Sequence, residues 1–154
     1  MRGRKQQMSL EISRALLEET IAELRASPDK EKVILWLGKR GTSEYVVDDI
    51  FTPIQITDED FFRIPEEGMN QLMSHLRNVR KMIVAQIHTH PREAFHSNAD
   101  DRWAIVRHAG AYSLVLPEFC STTEKNNFLE MVATFVLNKS NKWKRVSSSN
   151  ITIV

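Results

Sequence analysis

The chain has 154 residues, 42% hydrophobic and 27% charged, which suits a globular domain with its own core and excludes a disordered segment. A net charge of +1 gives no field that would make nucleic acid the main partner. The single cysteine, Cys120, excludes a disulfide framework within one chain and a cysteine-rich zinc site.

Residues 1–7 carry Arg2, Arg4 and Lys5 and read as a flexible basic tail. No apolar signal region follows, and no run approaches the roughly 20 apolar residues of a membrane span. The expectation is a soluble cytoplasmic protein with no membrane partner. Residues 8–154 show no repeat or linker and read as one domain. Met8, Leu10 and Ile12 alternate with polar residues, which predicts a short strand. Ser13 is placed to cap a helix with Leu17, Ile21 and Leu24 on its buried face, and Ser27-Pro28 stops it.

Val33 to Leu37 is continuously apolar, the pattern of a strand covered on both faces. Gly38 to Gly41 reads as a turn, Tyr45 to Phe51 as the next strand, and residues 54–64 as an irregular acidic connection. Met69, Leu72, Met73 and Leu76 fall at helical spacing, with His75 beside them as a surface or boundary residue. Met82 to Ile87 reads as a buried strand, Ala99 to Ala109 as a helix stopped by Gly110, and Tyr112 to Leu116 as a further strand. Phe128 to Leu137 is rich in aromatic and β-branched residues and favours strand over helix. Residues 138–143 read as a hairpin turn, Lys144 to Val146 as its return strand, and Ile151 to Val154 as a short last strand. The lysines and Arg145 of this hairpin read as a solvated face. Trp36, Trp103 and Trp143 are expected in the core. The order predicts a mixed α/β (α+β) domain, its mixed and mostly antiparallel sheet lying between helices.

The chemistry sits at the end of the central strand. His88 and His90 are separated by Thr89, so on a strand their side chains share one face. One histidine on an apolar strand is ordinarily a satisfied core residue; two on one face, followed by Pro91, point to a metal. Two imidazoles and a carboxylate from the following loop would leave a fourth position open, the catalytic arrangement of zinc. Asp100 is the candidate carboxylate. Ser97 with an acid three residues on also resembles a helix capping box, which is compatible with ligation elsewhere in the loop. His96, just before the cap, is better suited to a loop hydrogen bond or a substrate contact than to a fourth ligand. A zinc hydrolase needs a general base. Among the 20 acidic residues Glu31 stands out, because it enters the buried strand at Val33; its plain alternative is an exposed glutamate in the run 29–32.

These residues resemble the signature of the JAMM (MPN-positive, JAB) zinc metalloproteases. His88-Thr89-His90-Pro91 followed by Ser97 and Asp100 matches the family's ligand motif, and Glu31 leading into the strand that ends at Gly38 resembles its upstream acidic element. The resemblance spans about residues 8–146. It implies a single MPN/JAB-like domain with cytidine-deaminase-like layering, and Zn²⁺ held by His88, His90 and Asp100. It implies Glu31 as the base that takes a proton from the attacking water and passes it to the leaving amine, and Ser97 as a donor to the oxyanion. It also implies a substrate: the amide or isopeptide bond after the C-terminal glycines of a ubiquitin-like protein, whose extended tail would add as a strand to a sheet edge. The loop and length most resemble the bacterial stand-alone branch, whose members are often encoded beside ubiquitin-like proteins and their conjugating machinery, anti-phage systems included.

Two departures stand out. The spacer Pro91 to His96 is one residue shorter than is usual, and the usual register would land on Asn98 and Asp101. Ser97 and Asp100 keep the serine-to-aspartate spacing intact, with Asp101 as the alternative ligand. Ile34 stands where many members have glycine.

The competing reading is a non-catalytic MPN-type scaffold, whose known examples generally lack the ligand set. A zinc deaminase needs a second cysteine-bearing element that one cysteine cannot supply. A nuclease would be expected to carry more positive charge, and an amidohydrolase barrel needs a longer chain.

Overall fold

The computed structural model describes residues 8–95 and 104–154. The basic tail 1–7 and Trp103 lie outside the described residues. Among the described residues, ten strands form an eight-stranded sheet and a small hairpin. They are β1 (Ser9–Ile12), β2 (Val33–Arg40), β3 (Glu44–Phe51), β4 (Ile56–Thr57), β5 (Phe62–Arg63), β6 (Met82–Thr89), β7 (Tyr112–Leu116), β8 (Ala133–Leu137), β9 (Trp143–Val146) and β10 (Ile151–Ile153). Among the described residues the α-helices are α1 (Arg14–Arg25), α2 (Glu66–Val79) and the single turn α3 (Phe128–Met131).

The large sheet runs β10-β1-β3-β2-β6-β7-β8-β9. The pairs β2–β3, β2–β6, β7–β8 and β8–β9 are antiparallel, and β1–β10, β1–β3 and β6–β7 are parallel. β2 and β6 lie at the centre and are buried on both faces, which is why Val33–Leu37 reads as an unbroken apolar run and Met82–Ile87 as one interrupted only by Gln86. On one face Ile34, Trp36, Ala85 and Ile87 meet Leu17, Ile21 and Leu24 of α1 and Phe128 of α3. There Thr20 Oγ1 accepts a 3.0 Å hydrogen bond from the Trp36 indole. On the other face Val33, Leu35 and Leu37 meet Leu72 of α2 and Phe62 of β5. Ser13 caps α1 as its position predicts, its hydroxyl accepting from the Leu16 amide at 3.2 Å. Cys120 is buried in the α1-side core, and burial pushes its thiol up, as suits a packing residue.

The structure departs from the sequence expectations at several places, each with a physical cause. Gly38 is not in a turn: β2 continues to Arg40, and its pairing with β3 shifts register between Leu37 and Gly38. A Cβ on Gly38 would stand 1.9 Å from the Val46 carbonyl oxygen, so glycine is the residue that lets the strands close over the bulge. Residues 54–64 contain the β4–β5 hairpin, held to β2 by hydrogen bonds that no local pattern announces. Met73 is exposed, because α2 turns only a narrow stripe around Leu72 to the sheet. His75 is half-buried and stacks on Phe51 at 4.6 Å.

Residues 104–109, the described part of the helix expected at 99–109, are not helical. The Ile105 amide instead donates to the Gln86 side chain at 2.9 Å, and Gly110, at φ +94°, turns the chain into β7. Phe128 to Met131 is a helical turn, so only Ala133–Leu137 of the expected strand pairs. Phe128 is nonetheless core, as its apolar character predicts.

Gly38→Ala should destabilise the fold by about 1–3 kcal/mol through overpacking, read as a lower Tm in thermal unfolding. An unchanged Tm would mean that the bulge does not need glycine. Burial, and then the charge of Arg40, hold the His108 imidazole below its ordinary range. The unfolded chain then binds the proton first. Stability from this group is complete above the unfolded value of about 6.5 and falls as pH drops below it. His108→Gln should flatten the decline of Tm between about pH 7 and about pH 5, relative to the parent protein.

Candidate metal centre

Antiparallel pairing of β2 with β6 sets Val33 opposite His88 and Leu35 opposite Gln86. His88 therefore faces the side covered by α2 and the β4–β5 hairpin. Both histidines are buried, His88 fully and His90 to within 3%. Their Nε2 atoms converge to 3.3 Å, and the Glu31 Oε1 lies 3.9 Å from the His90 Nε2. Glu31 is only 4% exposed although its neighbours Asp29 and Lys30 are exposed, so it is not an ordinary residue of a solvated charge run.

Sequence reasoning missed much of what holds these groups. Thr89, between the histidines, locks the two strands. Its hydroxyl accepts from the Lys32 amide at 3.1 Å, and its own amide donates to the Lys32 carbonyl at 3.2 Å. The Glu31 amide donates to the Asp58 carbonyl at 2.8 Å. Gln55 clamps both backbone groups of Val33, accepting from its amide and donating to its carbonyl, each at 2.9 Å. The hairpin segment is thereby fastened to the strand that carries Glu31.

His90 is held from the other side. Its amide donates to the Leu116 carbonyl at 2.9 Å and its carbonyl accepts from the Phe119 amide at 2.8 Å. Phe119 belongs to three successive left-handed residues, Glu118, Phe119 and Cys120, with φ of 53°, 52° and 67°. Such residues are costly without glycine and are kept where the surroundings fix them, here beside the histidines. Only Pro117 marks the turn in the sequence.

Aromatic rings close the site. Phe62 lies 5.2 Å from His88, and Phe95 meets His90 edge-on at 4.6 Å. An apolar shell of this kind limits water and lowers the local dielectric around a metal. A cleft of about 410 Å³ opens beside His90 and is lined by Glu31, Glu59, Asp60, Arg92, Glu93 and Phe95, among others. Four carboxylates face one guanidinium there.

The donor set fits zinc. Two nitrogens, each about 2.05 Å from a tetrahedral Zn²⁺, stand about 3.3 Å apart. The two Nε2 atoms stand at that separation. Among the described residues no group of three or more His, Cys, Asp or Glu side chains is placed to hold a metal ion. The expected third ligand Asp100, its alternative Asp101, and Ser97 and His96 lie outside the described residues. Phe95 meets His90 just past the end of β6, and the Ile105 amide donates to Gln86 within β6. Ile34, where many members have glycine, pairs with Ile87 and faces α1, on the sheet face away from His88.

The fold is that of a JAB1/MPN-type domain. AF2198, a JAB1/MPN domain protein from Archaeoglobus fulgidus, superposes with a TM-score of 0.55 at 15% identity, over 95% of this chain and 98% of that one. Protein DSY2949 from Desulfitobacterium hafniense superposes with a TM-score of 0.71 at 15% identity, over 94% and 92% of the two chains. The probable metalloprotease y4jG of Sinorhizobium fredii (strain NBRC 101917 / NGR234) is 31% identical over 126 residues, 79% of this chain and 76% of that protein. No family model matches the chain. The chain belongs to the JAB1/MPN (JAMM) metalloprotease family. No helix among the described residues is long and apolar enough to cross a membrane.

Purified protein should bind one zinc per chain, measured by elemental analysis after dialysis, and His90→Ala should reduce this to near zero with the fold retained. Full zinc occupancy in His90→Ala would remove the histidine pair from the metal site.

Proposed function

We propose that this protein is a zinc-dependent protease that cleaves the amide or isopeptide bond after the C-terminal glycines of a ubiquitin-like protein. In this reading His88, His90 and Asp100 hold Zn²⁺, Glu31 is the general base, and Ser97 donates to the developing oxyanion. The observation that carries it is the convergence of two buried imidazoles to 3.3 Å with the buried Glu31 carboxylate 3.9 Å from the nearer ring nitrogen. A bound zinc would supply Lewis-acid polarisation of the scissile carbonyl and a lowered pKa for water.

Glu31 sets the proton transfers. Its Oε1 is too far from His90 for a direct hydrogen bond, and the gap is one that a water or a reacting atom can span. From there the carboxylate takes the proton of the attacking water and returns it to the leaving amine. Phe62, buried against His88, keeps bulk water from that side of the site. Around the mouth, Glu59, Asp60 and Glu93 favour a neutral or basic tail over an acidic one. The family resemblance extends the proposal to a setting: removal or maturation of a bacterial ubiquitin-like modifier alongside its conjugating machinery, in anti-phage defence.

The test is hydrolysis of a panel of ubiquitin-like fusions, with each cleavage site mapped by mass spectrometry. One or more should be cut after terminal glycines, and a chelator should stop the reaction. Glu31→Gln should lower kcat by on the order of 100–10,000-fold while still binding one zinc per chain. Retained activity in Glu31→Gln would remove the base assignment. A well-folded protein that binds no zinc would favour the scaffold reading.

A further inference from the structure

The end of the sheet away from the histidines carries a second cleft, of about 460 Å³. The strand β6 separates the two ends. His88 lies at its exit, whereas the cleft is built from the far end of β2, the start of β3, the approach to β7 and the β8–β9 hairpin. Seven residues of strand correspond to roughly 23 Å, so the two clefts are separate sites.

Its chemistry is the reverse of the metal cleft. Arg40, Lys139 and Lys144 line it and no carboxylate does. The three cations come from separate elements: the end of β2, the hairpin turn and β9. Lys32, Lys81 and Lys125 each have an acidic partner within ion-pair distance, but none of these three does among the described residues. Three like charges around one cavity repel one another, and a bound anion relieves the repulsion. The charge of Arg40 is felt as far as His108, two residues before Gly110 in the cleft wall.

The interior is apolar and fixed. Tyr45 and Leu137 line it and are nearly fully buried. Gly110 holds φ +94°, and a Cβ there would stand 2.8 Å from the Tyr45 hydroxyl oxygen, so only a bare backbone closes this wall. The Gly110 amide donates to the Leu137 carbonyl at 2.8 Å, which ties the wall to β8. The volume falls within the roughly 300–1,000 Å³ of small-molecule sites.

We infer that this cleft is a binding site for a small amphipathic anion, a carboxylate or phosphate monoester carried on an apolar body. The cations on the rim take the charged group and the apolar interior takes the body. The inference stands independently of the protease reading, since it shares no residue with the metal cleft.

The test is titration of the whole protein with phenyl phosphate and with benzoate, followed by amide chemical shifts. Saturable one-to-one binding of either is expected, with shifts centred on residues 109–110 and 138–146. The ligand that binds more tightly identifies the charged group. Benzyl alcohol, which lacks the charge, should bind at least about tenfold more weakly. Arg40→Gln and Lys144→Gln, both exposed positions, should each weaken binding several-fold. Lys142→Gln removes the same charge from the same hairpin but does not line the cleft, and should leave binding unchanged. Equal loss in Lys142→Gln would show diffuse charge attraction and overturn the inference. So would the absence of saturable binding, or shifts centred on His90 and Phe95.

Discussion

The pairing of β2 with β6 is the constraint on which the rest depends. It is antiparallel, buried on both faces, and ends with Val33 opposite His88. Two hydrogen bonds between Thr89 and the Lys32 backbone carry it one residue further, to where Glu31 meets His90. Side chains alternate along a strand, so a slip of one residue would send His88 into the α1-side core and turn Glu31 away. Position along the chain therefore becomes position in space: a glutamate far upstream reaches the histidines because two strands share a register.

The site is rigid because it is held from three directions. The strand pair supplies the histidines and the glutamate. The β4–β5 hairpin, through Gln55 and Asp58, fixes the backbone on which Glu31 rides. The left-handed turn at Glu118 to Cys120 fixes the backbone of His90 and, through the Glu118 amide, the Arg92 carbonyl. Supporting hydrogen bonds of this kind hold the polar side chains of a site in a narrow range of positions. Phe62, buried against His88, adds an apolar wall on one side, where charge interactions are stronger than in water.

Charge is segregated along the sheet. The net charge of +1 conceals an acidic cleft beside the histidines and a basic one at the far end. From their sequence the hairpin lysines read as a solvated face. Lys139 and Lys144 acquire a common direction only when the turn sets them beside Arg40, about a hundred residues away in the chain. Composition cannot carry that information, because it sums charges without placing them.

Much of the framework is written locally. The apolar runs at Val33, Met82 and Tyr112, the Ser13 cap and the periodicity of α1 follow from side-chain spacing, which local backbone geometry enforces. The His88-Thr89-His90 triplet is legible for the same reason: a period of two puts both rings on one face wherever a strand forms. The bulge at Gly38, the loop at 104–109 and the helical turn at Phe128 are not legible in that way, because each is settled by a distant partner: the Val46 carbonyl, the Gln86 side chain and the α1-side core. The sequence by itself determined that the two histidines would stand together. Only the tertiary structure decided that Glu31 is buried against them and that Gln55 and Thr89 hold it there, since those contacts join segments whose separation in the chain leaves no periodic trace.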